Sequence, residues 1–101
     1  MIKKTNTKIS FIGLGYVGLT TSVCFADQGF HVIGVDVDKS KLKKISSGKP
    51  DIFEPNLNEL LCKVLKTNRF SISDNLSDSI KKSDVTFITV GTPANHDGSV
   101  G

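Results

Sequence analysis

The stretch FIGLGYVGLTT, from Phe11 to Thr21, decides the fold of this protein. It contains three glycines at spacings of two and three residues, Gly13, Gly15 and Gly18, and apolar residues surround all three. Glycine is unfavourable inside helices and inside strands. The spacing therefore indicates three points at which the backbone must lack a side chain.

These glycines lie between a predicted strand and a predicted helix. Ile9, Phe11 and Ile12 form a short apolar run that is typical of a buried strand. From Tyr16 onward, apolar residues recur with a helical period on more than one face, which predicts a buried helix ending at Gly29. The motif Gly-x-Gly-x-x-Gly thus closes a strand and opens a helix.

Strands and helices alternate along the rest of the chain. Apolar runs predict further strands in FHVIGVD (30–36), RFSIS (69–73) and DVTFITV (84–90). With the intervening helices, the predicted order is β-α-β-α-α-β-α-β. This alternation predicts the α/β class: a partial Rossmann-type, doubly wound parallel sheet of four strands in the order 3-2-1-4, with helices on both faces.

The helix ends carry recognisable capping residues. Asp38 is the expected N-cap of a short lysine-rich helix. Asn56 is the expected N-cap of the next helix, with Glu59 as its capping-box partner. In a last, polar helix, Leu76 and Ile80 are expected to point inward. The helix after Asn56 is the most clearly amphipathic, with apolar residues at Leu57, Leu60, Leu61, Val64 and Leu65.

Composition and charge exclude several classes of protein. The 101 residues are 38% apolar and 23% charged, with a net charge of +3 that forms no dense block, so we expect one small domain and no nucleic-acid partner. The uncharged stretch from Ile9 to Ala26 contains three glycines, which argues against a membrane span. Cys24 and Cys62 make no disulfide framework. We expect both thiols in the core of a cytoplasmic protein.

The position of the glycines predicts a dinucleotide site. Gly13 permits the tight turn, Gly15 lets a pyrophosphate approach the backbone, and Gly18 lets helix and strand pack closely. The N–H groups of Tyr16 and Val17, at the start of the helix, are candidate phosphate donors. A packing turn without any ligand is the alternative.

Asp36 is the candidate ribose ligand. It ends the second strand, 23 residues after Gly13, where a carboxylate can accept hydrogen bonds from the adenosine ribose hydroxyls and repel the 2′-phosphate of NADP. Lys39 and Lys41 could attract that phosphate, but the carboxylate is the more direct group, so NAD is the expected cofactor. A plain strand-end role for Asp36 is the alternative.

Four segments go beyond a generic dinucleotide fold, namely GLGYVGL (13–19), GVDVDKSK (34–41), IFEPNLNELL (52–61) and FITVGTPANHDGS (87–99). Together they resemble the N-terminal domain of the UDP-glucose/GDP-mannose dehydrogenase family. The resemblance implies an enzyme that oxidises the C6 alcohol of a nucleotide sugar to a carboxylate. Such an enzyme uses two NAD molecules and a cysteine that holds the intermediate as a thiohemiacetal and then a thioester.

The resemblance also implies roles for single residues. Lys41 lies on the adenosine side, and Thr92 lies near the nicotinamide half, although an ordinary turn is the alternative for Thr92. Glu54 matches the family's Glu-Pro helix entry, where helix capping or hydrogen bonding competes with a substrate contact. Asn56 stands where the family usually has Gly. The expected cofactor-binding set is Gly13, Gly15, Tyr16, Val17, Gly18, Asp36, Lys41 and Thr92.

The family's catalytic cysteine, its lysine and its sugar-binding residues lie in later segments of a longer chain. We therefore expect residues 1–101 to form a truncated N-terminal dinucleotide-binding domain, with no catalytic and no metal-ligating residue. His31 begins a strand, and His96 beside Asp97 is interpreted as a turn.

The expected partners are NAD, a nucleotide-sugar substrate only in the full-length enzyme, and a second copy through the exposed fourth strand. Two alternatives remain, a hydroxyacid or 6-phosphogluconate type of dehydrogenase and a stand-alone NAD-binding module.

Overall fold

A computed structural model describes residues 6–52 and 54–89 of the chain. These residues form four strands and four helices in the predicted order. The elements are β1 Lys8–Ile12, α1 Tyr16–Asp27, β2 His31–Val35, α2 Lys39–Ser46, α3 Pro55–Lys66, β3 Phe70–Ser73, α4 Leu76–Lys82 and β4 Val85–Ile88.

The strands form one parallel sheet in the order β3-β2-β1-β4. This confirms the predicted order 3-2-1-4. At the centre of the sheet, Phe11 of β1 is in register with Gly34 of β2 and with Phe87 of β4. Since all strands are parallel, their carboxyl ends meet at one edge, where β1 lies between β2 and β4.

The helices cover both faces of the sheet. On one face, α1 packs against α3 and β2, and the Phe11 ring lies 5.7 Å from the Phe25 ring of α1. Successive side chains on a strand point to opposite faces, so Ser10 points away from α1, toward the face on which α4 contacts β1 and β2. There the Ser10 hydroxyl is hydrogen-bonded to the Thr86 hydroxyl at 2.9 Å.

The hydrophobic core lies between the sheet and the layer of α1 and α3. Phe11, Leu19, Val23 and Leu61 are completely buried there. The apolar stripe of α3 faces this core as predicted, with Leu57, Leu61 and Val64 buried and Leu60 and Leu65 packed against it.

The predicted caps are right for α2 and wrong for α3. The Asp38 carboxylate accepts a hydrogen bond from the Lys41 N–H at 3.1 Å, as expected of an N-cap. In α3 the N-cap position is Glu54, without a side-chain capping bond, so Asn56 lies inside the first turn. The reason is Pro55, because the fixed φ of proline suits the first helical position.

Leu76 and Ile80 of α4 do not point inward. Their exposed fractions are 47% and 44%, whereas Ser79 between them is buried. The small Ser79 side chain faces the sheet, and its hydroxyl donates to the Asn75 carbonyl oxygen at 2.7 Å. A helix that packs through a serine approaches the sheet closely, and its larger apolar residues then fall outside the contact.

The prediction that both cysteines lie in the core is wrong. Cys24 and Cys62 are exposed free thiols. The prediction that α1 is a buried helix is also wrong. One face of α1 is buried, through Leu19, Val23 and Ala26, whereas Cys24 and Val17 are exposed.

Gly18 marks the closest approach between α1 and the sheet. A Cβ built on it would overlap the carbonyl oxygen of Gly13 and lie 2.5 Å from the Thr89 Oγ1. Because backbone cannot move aside cheaply, Gly18→Ala is expected to lower the free energy of unfolding by about 3 kcal/mol, the upper end for overpacking. Urea denaturation of both proteins measures this difference.

Gly15→Ala is the matched control. A Cβ at Gly15 would meet nothing within 4 Å, and its φ of −73° is accessible to alanine. This variant is expected to lose at most about 1 kcal/mol, the cost of a poorer N-cap. Equal stability of the two variants would contradict the close approach.

Candidate functional site

A groove of about 310 Å³ opens at the carboxyl-terminal edge of the sheet. In open α/β sheets, ligands bind outside the carboxyl ends of the strands, where neighbouring connections leave in opposite directions. Here β1 has β2 on one side and β4 on the other, so the groove lies at such a point. Its walls are Ile12, Gly13, Leu14, Gly15, Val35, Asp36, Val37, Lys41, Asp74, Leu76 and Thr89.

Gly13 makes the turn that ends β1. Its φ is 99°, a left-handed conformation that favours glycine over other residues. Its N–H donates to the carbonyl oxygen of Val35 at 2.8 Å. The turn is thereby attached to the end of β2.

At Gly15, unlike Gly13, the backbone conformation does not require glycine. Its φ is ordinary, and a side chain there would point into open space. Neither backbone conformation nor contact with the described residues requires glycine at this position. The missing side chain leaves room directly in front of α1, which is what an external group needs in order to reach the backbone.

The first turn of α1 has free hydrogen-bond donors. The first four N–H groups of a helix have no intrahelical acceptor, and Gly15 at the N-cap offers no side-chain acceptor. The first turn of α1 contains no acidic residue. The N–H groups of Tyr16 and Val17 therefore lie at a positively polarised helix end next to the groove.

Asp36 is the least exposed charged group that we describe in the groove, with a side chain that is 10% exposed, against 40% for Lys41 and 52% for Asp74. The Leu14 N–H donates to Asp36 Oδ2 at 2.9 Å, and the Asp38 N–H donates to Asp36 Oδ1 at 3.0 Å. Burial alone would raise the pKa of Asp36. The hydrogen bonds from Asp38, Leu14 and Lys41 outweigh burial and lower the pKa below its ordinary value. The carboxylate is therefore charged at neutral pH and fixed in orientation.

The Asp36 carboxylate retains capacity for a ligand. Its two oxygens offer about four acceptor positions. Two on Oδ2 receive the Leu14 N–H and the Lys41 Nζ, and one on Oδ1 receives the Asp38 N–H. One position on Oδ1 thus remains for a hydroxyl donor in the groove.

Both lysines beside Asp36 have carboxylate partners. Lys41 Nζ lies 3.2 Å from Asp36 Oδ2. Lys39 Nζ lies 3.8 Å from Asp74 Oδ2, in a pair whose lysine side chain is 84% exposed. An ion pair so exposed contributes little to stability, but it places a negative charge next to Lys39.

The structure brings most of the predicted site residues together. Gly13, Gly15, Asp36 and Lys41 line one groove, Tyr16 and Val17 follow Gly15 directly, and Gly18 is buried beneath the loop as a packing residue. Thr92 lies outside the described residues, as do His96 and Asp97.

Several groove residues were missed by the sequence analysis. The Leu14 N–H donates to Asp36 and so joins the loop to the end of β2. The Leu14 side chain packs so closely on Gly34 that a Cβ at Gly34 would lie 3.0 Å from it. Glycine inside a strand often marks such a close approach, so Gly34 was an available signal. Thr89, Val37 and Leu76 carried no comparable signal.

Within residues 6–52 and 54–89, no group of three or more His, Cys, Asp or Glu side chains is placed to hold a metal ion. None of the helices in this part of the chain is long and apolar enough to cross a membrane.

Comparison with known proteins gives consistent matches. The family described as "UDP-glucose/GDP-mannose dehydrogenase family, NAD binding domain" matches residues 7–101. The UDP-glucose 6-dehydrogenase of Rhizobium meliloti is 45% identical over 87 residues, which are 86% of this chain and 20% of that protein. The GDP-mannose 6-dehydrogenase of Pseudomonas aeruginosa is 42% identical over 92% of this chain and 21% of that protein.

Solved structures share the fold. A ternary complex of GDP-mannose dehydrogenase from P. aeruginosa superposes with a TM-score of 0.86 at 42% identity, over 92% of this chain and 21% of that one. UDP-glucose dehydrogenase from Pyrobaculum islandicum gives a TM-score of 0.87 at 38% identity, over 99% and 23%. The chain spans about a fifth of the length of the curated relatives it matches. Agreement in sequence over almost the whole chain and in strand order shows that it belongs to the UDP-glucose/GDP-mannose dehydrogenase family, as its NAD binding domain.

Proposed function

We propose that this chain is the NAD-binding part of a nucleotide-sugar 6-dehydrogenase of the UDP-glucose type. In the whole protein it would hold the NAD that accepts hydride while a sugar C6 alcohol is oxidised to a carboxylate. One observation carries the proposal: the glycine loop after β1 is hydrogen-bonded, through the Leu14 N–H, to the carboxylate that ends β2. Relatives named UDP-glucose 6-dehydrogenase and GDP-mannose 6-dehydrogenase support the reaction class.

In this proposal, different groove residues bind different parts of the dinucleotide. The space at Gly15 admits the pyrophosphate, and the N–H groups of Tyr16 and Val17 donate to it. Asp36 accepts a ribose hydroxyl at its remaining acceptor position, while Lys41 stays beside it. Gly13, which lines the groove, and Gly18, which is buried beneath the loop, shape the loop that would hold the pyrophosphate. A role for Thr92 near the nicotinamide rests on the family resemblance alone.

Two exposed apolar side chains suit the adenine ring. Val37 is 88% exposed and Leu76 is 47% exposed, and both line the groove beside Asp36. Apolar side chains that stay in water are unfavourable unless something covers them. An adenine base against Val37 and Leu76 would cover both side chains.

The charges of the groove favour NAD over NADP. The Asp36 carboxylate is mostly buried and ionised, so the 2′-phosphate of a ribose bound to it would face a like charge. Lys39 and Lys41, the cations that could offset this repulsion, are already paired with Asp74 and Asp36.

We further propose that residues 1–101 bind nucleotide without oxidising a sugar. The described thiols lie away from the groove, with Cys24 on the outer face of α1 and Cys62 on the outer face of α3. His31 lies at the amino end of β2, the opposite edge of the sheet. The nucleophile and the sugar site would belong to other segments of the whole protein, since this chain spans about a fifth of the length of its relatives. A cytoplasmic location is in keeping with two exposed free thiols.

Asp36→Ala is expected to weaken NAD binding by roughly 10- to 100-fold. Loss of a hydrogen bond to a charged group costs about 1.5–3 kcal/mol, and each 1.4 kcal/mol is about tenfold in affinity. Calorimetric titration with NAD measures the change. The same titration with NADP is expected to show weak binding to the wild type and a smaller difference between the cofactors in the variant.

Two further variants make this titration specific. Asp78→Ala removes an exposed carboxylate that pairs with Lys82 on its own helix, at 3.0 Å, and should leave NAD affinity unchanged. Gly15→Ala should lose NAD affinity while keeping the stability expected above. Equal NAD affinity in the wild type and in Asp36→Ala would refute the ribose role.

The isolated chain is expected to produce no NADH from UDP-glucose and NAD, because the described residues around the groove supply no nucleophile. Fluorescence of NADH over several hours measures this, with a full-length relative as the positive control. Sustained, UDP-glucose-dependent NADH formation by the pure chain would overturn the proposal that residues 1–101 bind nucleotide without oxidising a sugar.

We also propose that the chain self-associates through β4. Among the described residues β4 pairs with β1 alone, and Val85, Phe87 and Ile88 are 39%, 40% and 74% exposed. No lysine or proline interrupts the run from Val85 to Val90. An apolar strand edge without such protection is a template for pairing with a second copy.

Ile88→Lys is expected to reduce self-association measured by light scattering across a concentration series. Ile88 is mostly exposed, so the change should spare the core. Val37→Lys, at an exposed apolar position away from β4, is the control. A wild-type chain that stays monomeric at high concentration would rule the interface out.

A further inference from the structure

Thr89, the residue after β4, is attached to the end of β1 by two groups. Its backbone N–H donates to the Ile12 carbonyl oxygen at 2.8 Å, which continues the parallel ladder by one residue. Its Oγ1 lies 2.6 Å from the Gly13 carbonyl oxygen and 3.1 Å from that of Ile12. A hydroxyl has one hydrogen to donate. The shorter distance makes Gly13 its main acceptor.

The Gly13 carbonyl and the Leu14 N–H belong to the same peptide unit. In a trans peptide these two groups point in opposite directions within one plane. The carbonyl meets the Thr89 hydroxyl on the β4 side, and the N–H meets Asp36 Oδ2 at 2.9 Å on the β2 side. One peptide plane therefore bridges the two neighbours of β1 across its carboxyl end.

This peptide needs external support because of the residues around it. The ψ of Gly13 and the φ of Leu14 set the orientation of this peptide plane, and glycine restricts backbone rotation least. If the Gly13 carbonyl lost its donor, it could turn toward the free N–H groups at the start of α1. Such a turn would swing the Leu14 N–H away from Asp36 and occupy donors that a phosphate needs.

We propose that Thr89 is a positioning residue of the cofactor site. Its hydroxyl holds the Gly13–Leu14 peptide in the orientation that presents the Leu14 N–H to Asp36 and keeps the entrance to α1 free. Thr89 also lines the groove, but this role requires no contact with the cofactor. The inference deepens the proposed function, since it concerns the same NAD site.

The test compares Thr89→Ser with Thr89→Ala, two variants that differ only in the hydroxyl. In the ligand-free chain, carboxyl NMR titration follows the pKa of Asp36, and calorimetry follows binding of NAD and ADP-ribose. Thr89→Ala should raise the pKa of Asp36 toward its ordinary value, because the Leu14 hydrogen bond weakens, and should weaken both ligands about 3- to 10-fold. Thr89→Ser should restore both properties.

Thr86→Ala is the matched control, because its hydroxyl makes a 2.9 Å hydrogen bond to Ser10 on the same strand pair, away from the loop. It should lower stability without moving the pKa of Asp36 or the affinities. The proposal is overturned if Thr89→Ala leaves both readouts unchanged, if Thr89→Ser behaves like Thr89→Ala, or if Thr86→Ala has the same effect. If Thr89→Ala does not fold, Thr89→Cys, which has a much weaker donor, replaces it with the same criteria.

The two readouts separate this inference from the proposed function. A wild-type chain that binds neither NAD nor ADP-ribose refutes the proposed function. The pKa comparison in the free chain would still decide the role of Thr89.

Discussion

The hydrogen bond from the Leu14 N–H to the Asp36 carboxylate joins the ends of two neighbouring strands, and the candidate site depends on it. It helps to fix the glycine loop relative to β2 and, together with the hydrogen bonds from Asp38 and Lys41, lowers the pKa of Asp36 in a mostly buried position. A carboxylate in that position would be unfavourable without such donors. The hydrogen bond that positions the loop thus also stabilises the charged carboxylate, which can accept a hydrogen bond from a ribose hydroxyl.

The three glycines of the loop meet three separate physical requirements. Gly13 adopts a left-handed conformation, Gly18 avoids overlap with the Gly13 carbonyl, and Gly15 leaves open space before α1. Only the third requirement points outside the protein, because the first two are met within the chain itself. The motif therefore combines two conditions for folding with one condition for ligand binding.

The helices that build the site differ in what they bury. α1 packs through one face and leaves its first turn free, while α4 packs through Ser79 and leaves Leu76 in the groove. Both arrangements expose apolar side chains that a helix would ordinarily bury. The exposure is concentrated near the groove and along β4, the two surfaces for which we propose a ligand and a second copy.

The sequence alone determined the element order, the strand order 3-2-1-4, the glycine loop and Asp36, because local periodicity and the right-handed crossover rule leave few alternatives. Only the tertiary structure decided the outward positions of Cys24 and Leu76, because the face a helix buries depends on what it packs against. It alone brought Thr89 to the glycine loop, since these residues are 76 positions apart in the chain and meet only when β4 pairs with β1.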